Sequence, residues 1–96
     1  VQVTLSVIFK AKAGKEHELK TELLALLAPT RKENGCLNYD LHEDPNDNGR
    51  FLFYENWESQ GDLDKHINSA HVQNFFKHAP SLIEGEVELV HWKLIN

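Results

Sequence analysis

Apolar residues alternate with polar ones at the start of the chain, and beyond Gly14 they change to a helical spacing. A period of two predicts a half-buried β-strand, and a single apolar stripe predicts a helix that packs on a flat surface. The strand run is Val1, Val3, Leu5, Val7 and Phe9, and the helix run is Leu19, Leu23, Leu26 and Leu27. Pro29 either kinks or ends this helix, and Asn34-Gly35 is its stop signal. The chain therefore begins with a strand and with a helix that covers the sheet of that strand.

A β-hairpin is predicted next. Residues 36–42 and 50–57 are two runs typical of strands, and the Asp-Pro-Asn-Asp-Asn-Gly segment at 44–49 favours a turn between them. The second run is apolar on both sides, with Phe51, Phe53 and Trp57 on one and Leu52 and Tyr54 on the other. Both faces of that strand must therefore be covered.

Two short helices and a last strand complete the predicted elements. Ser59 with Asp62 resembles a capping box that opens the first of these helices. Ser69 caps the second, which Pro80 stops. The final strand, 86–95, is again apolar on both sides. The order is thus β-α-β-β-α-α-β.

That order is the order of the ferredoxin-like plan, an α+β fold in which a four-stranded antiparallel sheet carries its helices on one face. Ninety-six residues supply one hydrophobic core, so we expect a single domain over 1–96. The other face of the sheet is bare, although two of its strands are apolar on both sides. A second copy of the chain is the simplest cover for such a surface. We therefore predict a two-fold homodimer whose sheets meet face to face.

Composition excludes several classes of partner. The net charge of −5 leaves no basic patch for phosphates, so we expect no nucleic acid or anionic membrane as a partner. No apolar run approaches the roughly 18 residues that span a bilayer, and the start of the chain lacks a basic leader. Cys36, the single cysteine, cannot form an internal disulfide. These features favour a cytoplasmic protein.

Histidine is over-represented, with six in this short chain. A metal site is not predicted, because His-Glu-x-x-His is absent, Cys36 has no partner, and His66 and His71 do not stack on one helical face. If Ser69 caps a helix, His71 lies in its first turn, where the helix dipole disfavours the protonated ring. His66 lies near the end of the preceding helix and holds a proton more readily. The pair is then a base and a proton donor, or else two surface residues at helix ends.

A ligand pocket is predicted between the sheet and its helices. Trp57 and Phe75 are its expected walls, although the same aromatic residues can simply fill a small core. Glu55 lies on an otherwise apolar side of its strand, so its carboxyl must find a partner or have a raised pKa. We expect Asn38 to face the helices and donate to a ligand oxygen. Tyr39 would then face the dimer partner.

Three short blocks of sequence resemble the signature blocks of the antibiotic biosynthesis monooxygenase family. They are Gly-Cys-Leu-Asn-Tyr at 35–39, Phe-Tyr-Glu-Asn-Trp-Glu-Ser at 53–59 and His-Ile-Asn-Ser-Ala-His-Val at 66–72. The resemblance runs over nearly the whole chain. It implies a dimeric α+β barrel of ferredoxin-like subunits.

The activities of that family differ among its members. They include cofactor-independent oxygenases, quinol monooxygenases, an isomerase of a phosphorylated signalling molecule and haem-degrading enzymes. Of the residues that the haem degraders use, the resemblance retains only Trp57, since Val7 and Phe76 stand at the places of their asparagine and histidine. The isomerase would need a cationic cluster for its phosphate.

The resemblance and the residues together predict a small monooxygenase that acts on a quinol or another hydroxylated aromatic, without a flavin, a metal or any other cofactor. His71 is the expected base and His66 the donor or second base. The alternatives are a non-catalytic ligand-binding or stress-response dimer and an isomerase of a small signalling molecule. His17, His78 and His91 receive no role.

Overall fold

A computed structural model describes all 96 residues and contains one antiparallel sheet with its helices on one face. The strands are β1 (Val3–Lys10), β2 (Cys36–Glu43), β3 (Arg50–Trp57) and β4 (Glu88–Trp92), in the sheet order β2-β3-β1-β4. The helices are α1 (Glu16–Ala25), α2 (Leu27–Arg31), α3 (Gln60–Ile67) and α4 (Ala70–His78), and a 3-10 turn at Ala79–Ser81 follows α4. The predicted ferredoxin-like α+β fold is confirmed. None of the helices has the length and hydrophobicity that a membrane crossing requires.

The first predicted helix is broken into α1 and α2 at Leu26. Pro29 has no N–H with which to continue the helical ladder, so the predicted kink is confirmed. The Leu26 amide instead bonds to the Leu23 carbonyl at 3.1 Å, as in a tighter turn. The break lets α2 lie against β2, where Arg31 Nε donates to the Tyr39 carbonyl at 3.1 Å. It therefore brings the end of α2 next to the sheet.

Both predicted helix caps near the site are confirmed. Ser59 Oγ accepts from the Asp62 amide at the start of α3, and Ser69 Oγ accepts from the Val72 amide at the start of α4. Gly35 has a φ of +83°, and a Cβ atom there would lie 2.2 Å from Asp62 Oδ2. Only glycine fits this contact. The start of β2 and the start of α3 are therefore held closely together.

A β-bulge changes which side chains of β2 face the helices. Cys36 pairs with Trp57, but Asn38 pairs with Asn56, so one extra residue lies between the two pairs. Beyond the bulge, Tyr39 is only 3% exposed and faces the helices. The prediction that Asn38 faces the helices and Tyr39 the dimer partner was wrong, because strict alternation does not hold across a bulge.

Asn38 instead belongs to a polar strip on the open face of the sheet. Its Oδ1 accepts from Asn56 Nδ2 at 2.8 Å, and its Nδ2 donates to the Tyr54 carbonyl at 3.0 Å. Asn56 Oδ1 accepts in turn from Gln2 and Thr4. The amide of Asn38 is therefore not available to a ligand between the sheet and the helices.

Strand β4 is shorter than predicted and lies at the edge of the sheet. It pairs only with β1. In the single chain, Leu89 on the helix side of β4 is 47% exposed at the cavity, and Trp92 on the open face is 58% exposed. Tyr54 of β3 is also exposed on the open face. Trp92 and Tyr54 therefore leave an apolar surface on the open face that nothing in the single chain covers.

Candidate functional site

A cavity of about 90 Å³ lies between the sheet and helices α3 and α4. Every strand contributes to its wall. It is lined by Leu5, Val7, Phe9, Leu26, Tyr39, Phe53, Glu55, Leu63, His66, Ile67, Val72, Phe75, Phe76, Val87 and Leu89. Glu55 and His66 are the only ionisable residues in this lining apart from the Tyr39 phenol. An apolar cavity with a few convergent polar groups is typical of a small-molecule site.

The cavity opens to solvent beside α4 and β4. Ile67, Phe76 and Leu89 line it and are each between 39% and 47% exposed. A closed cavity that holds a benzene ring has a volume of roughly 150 Å³. A single aromatic ring therefore has to occupy both the cavity and this apolar mouth.

His66 presents one ring nitrogen to the cavity and the other to a carboxylate. Its Nδ1 lies 2.7 Å from Glu33 Oε2. Its Nε2 has no hydrogen-bond partner in the protein, and since no fully buried polar side-chain atom lacks one, Nε2 reaches the open space of the cavity. A proton on Nδ1 that is donated to Glu33 leaves the Nε2 lone pair free. This is the arrangement of an oriented proton acceptor.

Burial lowers the pKa of His66 below its ordinary value, although the hydrogen bond and negative charge of Glu33 act in the opposite direction. The ring is therefore neutral near pH 7. The prediction that the end of a helix makes His66 hold its proton more readily was wrong. The side chain is only 6% exposed, and the loss of hydration is the largest effect on its pKa.

His71 lies in the first turn of α4, as the Ser69 cap predicts, but it does not line the cavity. Its Nε2 lies 3.0 Å from the same Glu33 oxygen, 3.2 Å from Thr30 Oγ1 and 3.3 Å from Ser69 Oγ. As the spacing predicts, His66 and His71 do not stack on one helical face, yet both contact Glu33. The chain breaks between α3 and α4, so the two rings lie on different helices with centroids 6.1 Å apart.

Glu33 is the residue that sequence reasoning missed. It follows α2 in a charged segment, Arg-Lys-Glu-Asn at 31–34, which reads as a solvated helix end. Its side chain is only 17% exposed and joins the two imidazoles. No spacing in the sequence relates position 33 to positions 66 and 71, because the contact depends on the break at Leu26 that turns α2 toward the sheet.

Glu55 and Trp57 form a buried pair on β3. Trp57 Nε1 donates to Glu55 Oε1 at 3.0 Å. Burial raises the pKa of Glu55 to about 7; the hydrogen bond from Trp57 lowers it, and the negative charge of Glu33 raises it further. Glu55 Oε2 has no protein partner and reaches the cavity, by the same reasoning as for His66. At neutral pH the protonated and deprotonated forms of such a carboxyl have comparable populations, so it can either donate or accept a proton.

The predicted aromatic walls are placed differently from each other. Phe75 lines the cavity and contacts Phe9 edge to face, with centroids 5.8 Å apart. Trp57 is fully buried and lies behind the lining, where its ring is 4.7 Å from that of His66. Tyr39, which was expected to face the dimer partner, also lines the cavity. Its ring stacks on that of Phe53, with centroids 4.3 Å apart. Burial and the charge of Glu55 raise the pKa of its phenol well above the ordinary value, so the phenol stays protonated.

The family model of antibiotic biosynthesis monooxygenases matches residues 3–78. The chain belongs to this family. The predicted resemblance is confirmed by that match. The fold agrees with the crystal structure of PA3566 from Pseudomonas aeruginosa at a TM-score of 0.94 and 34% identity, over 99% of this chain and 95% of that one.

Of two relatives of this chain, one has a name that states an activity and the other does not. "Putative monooxygenase YcnE" of Bacillus subtilis is 27% identical over 92 residues, which cover 96% of this chain and 97% of that protein. Uncharacterized protein sll1783 of Synechocystis is 29% identical over 85 residues, which cover 88% of this chain. The match spans only 58% of the length of the Synechocystis protein.

Proposed function

We propose that this chain is a cofactor-independent monooxygenase of a single-ring quinol or a similar hydroxylated aromatic. The observation that carries the proposal is the free Nε2 of His66, which faces an apolar cavity while Glu33 holds Nδ1. Membership of the antibiotic biosynthesis monooxygenase family supports an oxygenase, and the name of the Bacillus relative agrees with it.

His66 accepts the proton of a substrate hydroxyl at Nε2. Its lowered pKa keeps the ring neutral and ready to accept, and the imidazolium that forms lies against the Glu33 carboxylate. Glu33 is a positioning residue, because it fixes the tautomer and orientation of the ring. We assign His71, the base expected from sequence, to a supporting role, since it contacts Glu33 but not the cavity.

The deprotonated substrate is electron-rich enough to pass an electron to oxygen directly. The balance closes without an external reductant, because one hydroquinone and one O₂ give one hydroxyquinone and one water. The protein need only orient the ring, exclude water and move protons. Glu55, with its pKa of about 7, hydrogen-bonds a second substrate oxygen and returns a proton to the reduced oxygen. Phe75 and Tyr39 hold the faces of the ring.

The quaternary structure and location complete the proposal. The exposed apolar side chains of the open face, among them Tyr54 and Trp92, support a homodimer whose sheets pack face to face. The polar strip around Asn56 lies on the same face of the sheet. The unpaired Cys36 supports a cytoplasmic location.

The two alternative functions, an isomerase and a non-catalytic binder, need different residues in the cavity. An isomerase of a phosphorylated molecule would need a cationic cluster, but the lining contains no Lys or Arg and includes Glu55. A non-catalytic binder would use the same apolar walls and would not need the free nitrogen of His66.

Oxygen uptake with a panel of quinols and catechols tests the proposal. We expect His66→Gln to lower turnover about 10²- to 10⁴-fold, which is the usual contribution of a positioned base, while the fold is retained. The matched control is His78→Gln, which changes an exposed histidine at the end of α4. Unchanged oxygen uptake in His66→Gln would refute the role of His66. Thermal stabilisation by quinols without any oxygen uptake in the native chain would establish the binder instead.

A further inference from the structure

The side chains of Glu33, His66 and His71 form a cluster whose role in the proposed reaction is to accept and hold a proton. We propose that this imidazole–carboxylate cluster also binds one divalent transition-metal ion of the Zn²⁺ type. Each residue offers one ligand atom, and the three atoms all lie within 4.8 Å of one another. They come from three separate segments: the end of α2, the end of α3 and the start of α4.

The distances within the cluster are close to those between ligands that share an ion. Atoms bound tetrahedrally at about 2.0 to 2.1 Å from one Zn²⁺ lie roughly 3.3 Å apart, so the two contacts of Glu33 need to lengthen by roughly 0.3 to 0.6 Å. Glu33 Oε2 lies 2.7 Å from His66 Nδ1 and 3.0 Å from His71 Nε2. The two imidazole nitrogens are the more separated pair, and His71, whose side chain is 24% exposed, can turn toward the ion. Solvent reaches the cluster from that side and can supply a further ligand.

The donor set selects among cations. Two imidazoles with one carboxylate suit Zn²⁺ and other transition metals, whereas Mg²⁺ and Ca²⁺ prefer oxygen ligands alone. The cluster is also protected, since the side chain of His66 is 6% exposed and that of Glu33 is 17% exposed. The other histidines lie on the surface and join no group of three ligands. They are His17, His42, His78 and His91.

A bound ion has a consequence for catalysis that rests on the proposed function. Coordination at Nδ1 of His66 requires the neutral ring to carry its proton on Nε2. That nitrogen then points a hydrogen, and no longer a lone pair, into the cavity. The ion also takes the Glu33 oxygen that orients the ring. We therefore infer that metal binding at this cluster inhibits the oxygenase.

Titration calorimetry of the chelator-treated protein with Zn²⁺ tests the site without any use of activity. We expect one ion per chain, with the affinity lowered more than about tenfold in Glu33→Gln and in His71→Ala. His17→Ala is the matched control, because it removes an exposed imidazole and should leave the affinity unchanged. The visible absorption of bound Co²⁺ serves as a second readout and reports its coordination geometry. Thermal unfolding of each variant shows whether it is folded.

Equal Zn²⁺ affinity in the native chain and in folded Glu33→Gln would overturn the site, as would loss of binding in His17→Ala. If the native chain binds Zn²⁺ as expected and consumes oxygen, added Zn²⁺ should abolish the uptake and a chelator should restore it. Full activity of the metal-saturated chain would overturn the inhibitory role. If no quinol is oxidised at all, the proposed function fails, and the calorimetric result still decides the metal site.

Discussion

Replacing Glu55 with glutamine should raise the free energy of unfolding above neutral pH and should change it little below pH 4.5. The carboxyl titrates at about 7 in the folded chain against an ordinary value of 4.5. Between these values the folded chain keeps a proton that the unfolded chain has lost, so stability falls as pH rises through this window. At 1.36 kcal/mol for each pKa unit, the loss amounts to about 3 kcal/mol above pH 7.

Glutamine has the shape of the protonated carboxyl and keeps an oxygen for the indole N–H of Trp57. It carries no charge at any pH, so Glu55→Gln should not lose stability as the pH rises through this window. For a chain of this length, about 3 kcal/mol corresponds to roughly 12 to 24 °C in Tm. Urea or thermal unfolding of both proteins between pH 4 and pH 8.5 measures the difference. Glu58→Gln is the matched control, since that side chain is exposed just beyond the same strand. Parallel stability profiles for the native chain and Glu55→Gln would refute the reasoning.

Two further predictions concern the fold and the assembly. Gly35→Ala should lower the free energy of unfolding by at least about 2 kcal/mol, because it combines a left-handed backbone with a contact on Asp62. Gly14→Ala has a similar φ and open space around its Cβ position, so chemical denaturation should show a smaller loss there. Sedimentation at micromolar concentration should give the mass of two chains, and Trp92→Lys, which places a charge on the open face, should shift it toward one. A single-chain mass for the native protein would contradict the face-to-face dimer.

The elements could be predicted because their signals are local. Alternation reports the strands, and a serine three residues before a free amide reports each cap, as at Ser59 and Ser69. The limits of β4 were less accessible, because an apolar residue at an open edge and an apolar residue in a core look alike in a sequence. Leu94 and Ile95 lie beyond the strand and are exposed.

A residue of the site could be predicted only where its type and the face of its strand were sufficient to infer its environment. The periodicity of β3 places Glu55 toward the helices, and burial then accounts for its raised pKa. Glu33 could not be found, because its contact depends on how three segments come together. The environment of His66 was misjudged for a related reason: a helix end is visible in a sequence, but the depth at which it is buried is not.

The bulge in β2 leaves one residue of the chain outside the regular strand pairing. Leu37 is the extra residue between the pairs Cys36–Trp57 and Asn38–Asn56, and it is 49% exposed. Its deletion would restore even alternation while Cys36 and Tyr39 keep their partners across the strand. We therefore expect that the polypeptide can lose one residue here while the chamber beneath the sheet keeps its shape.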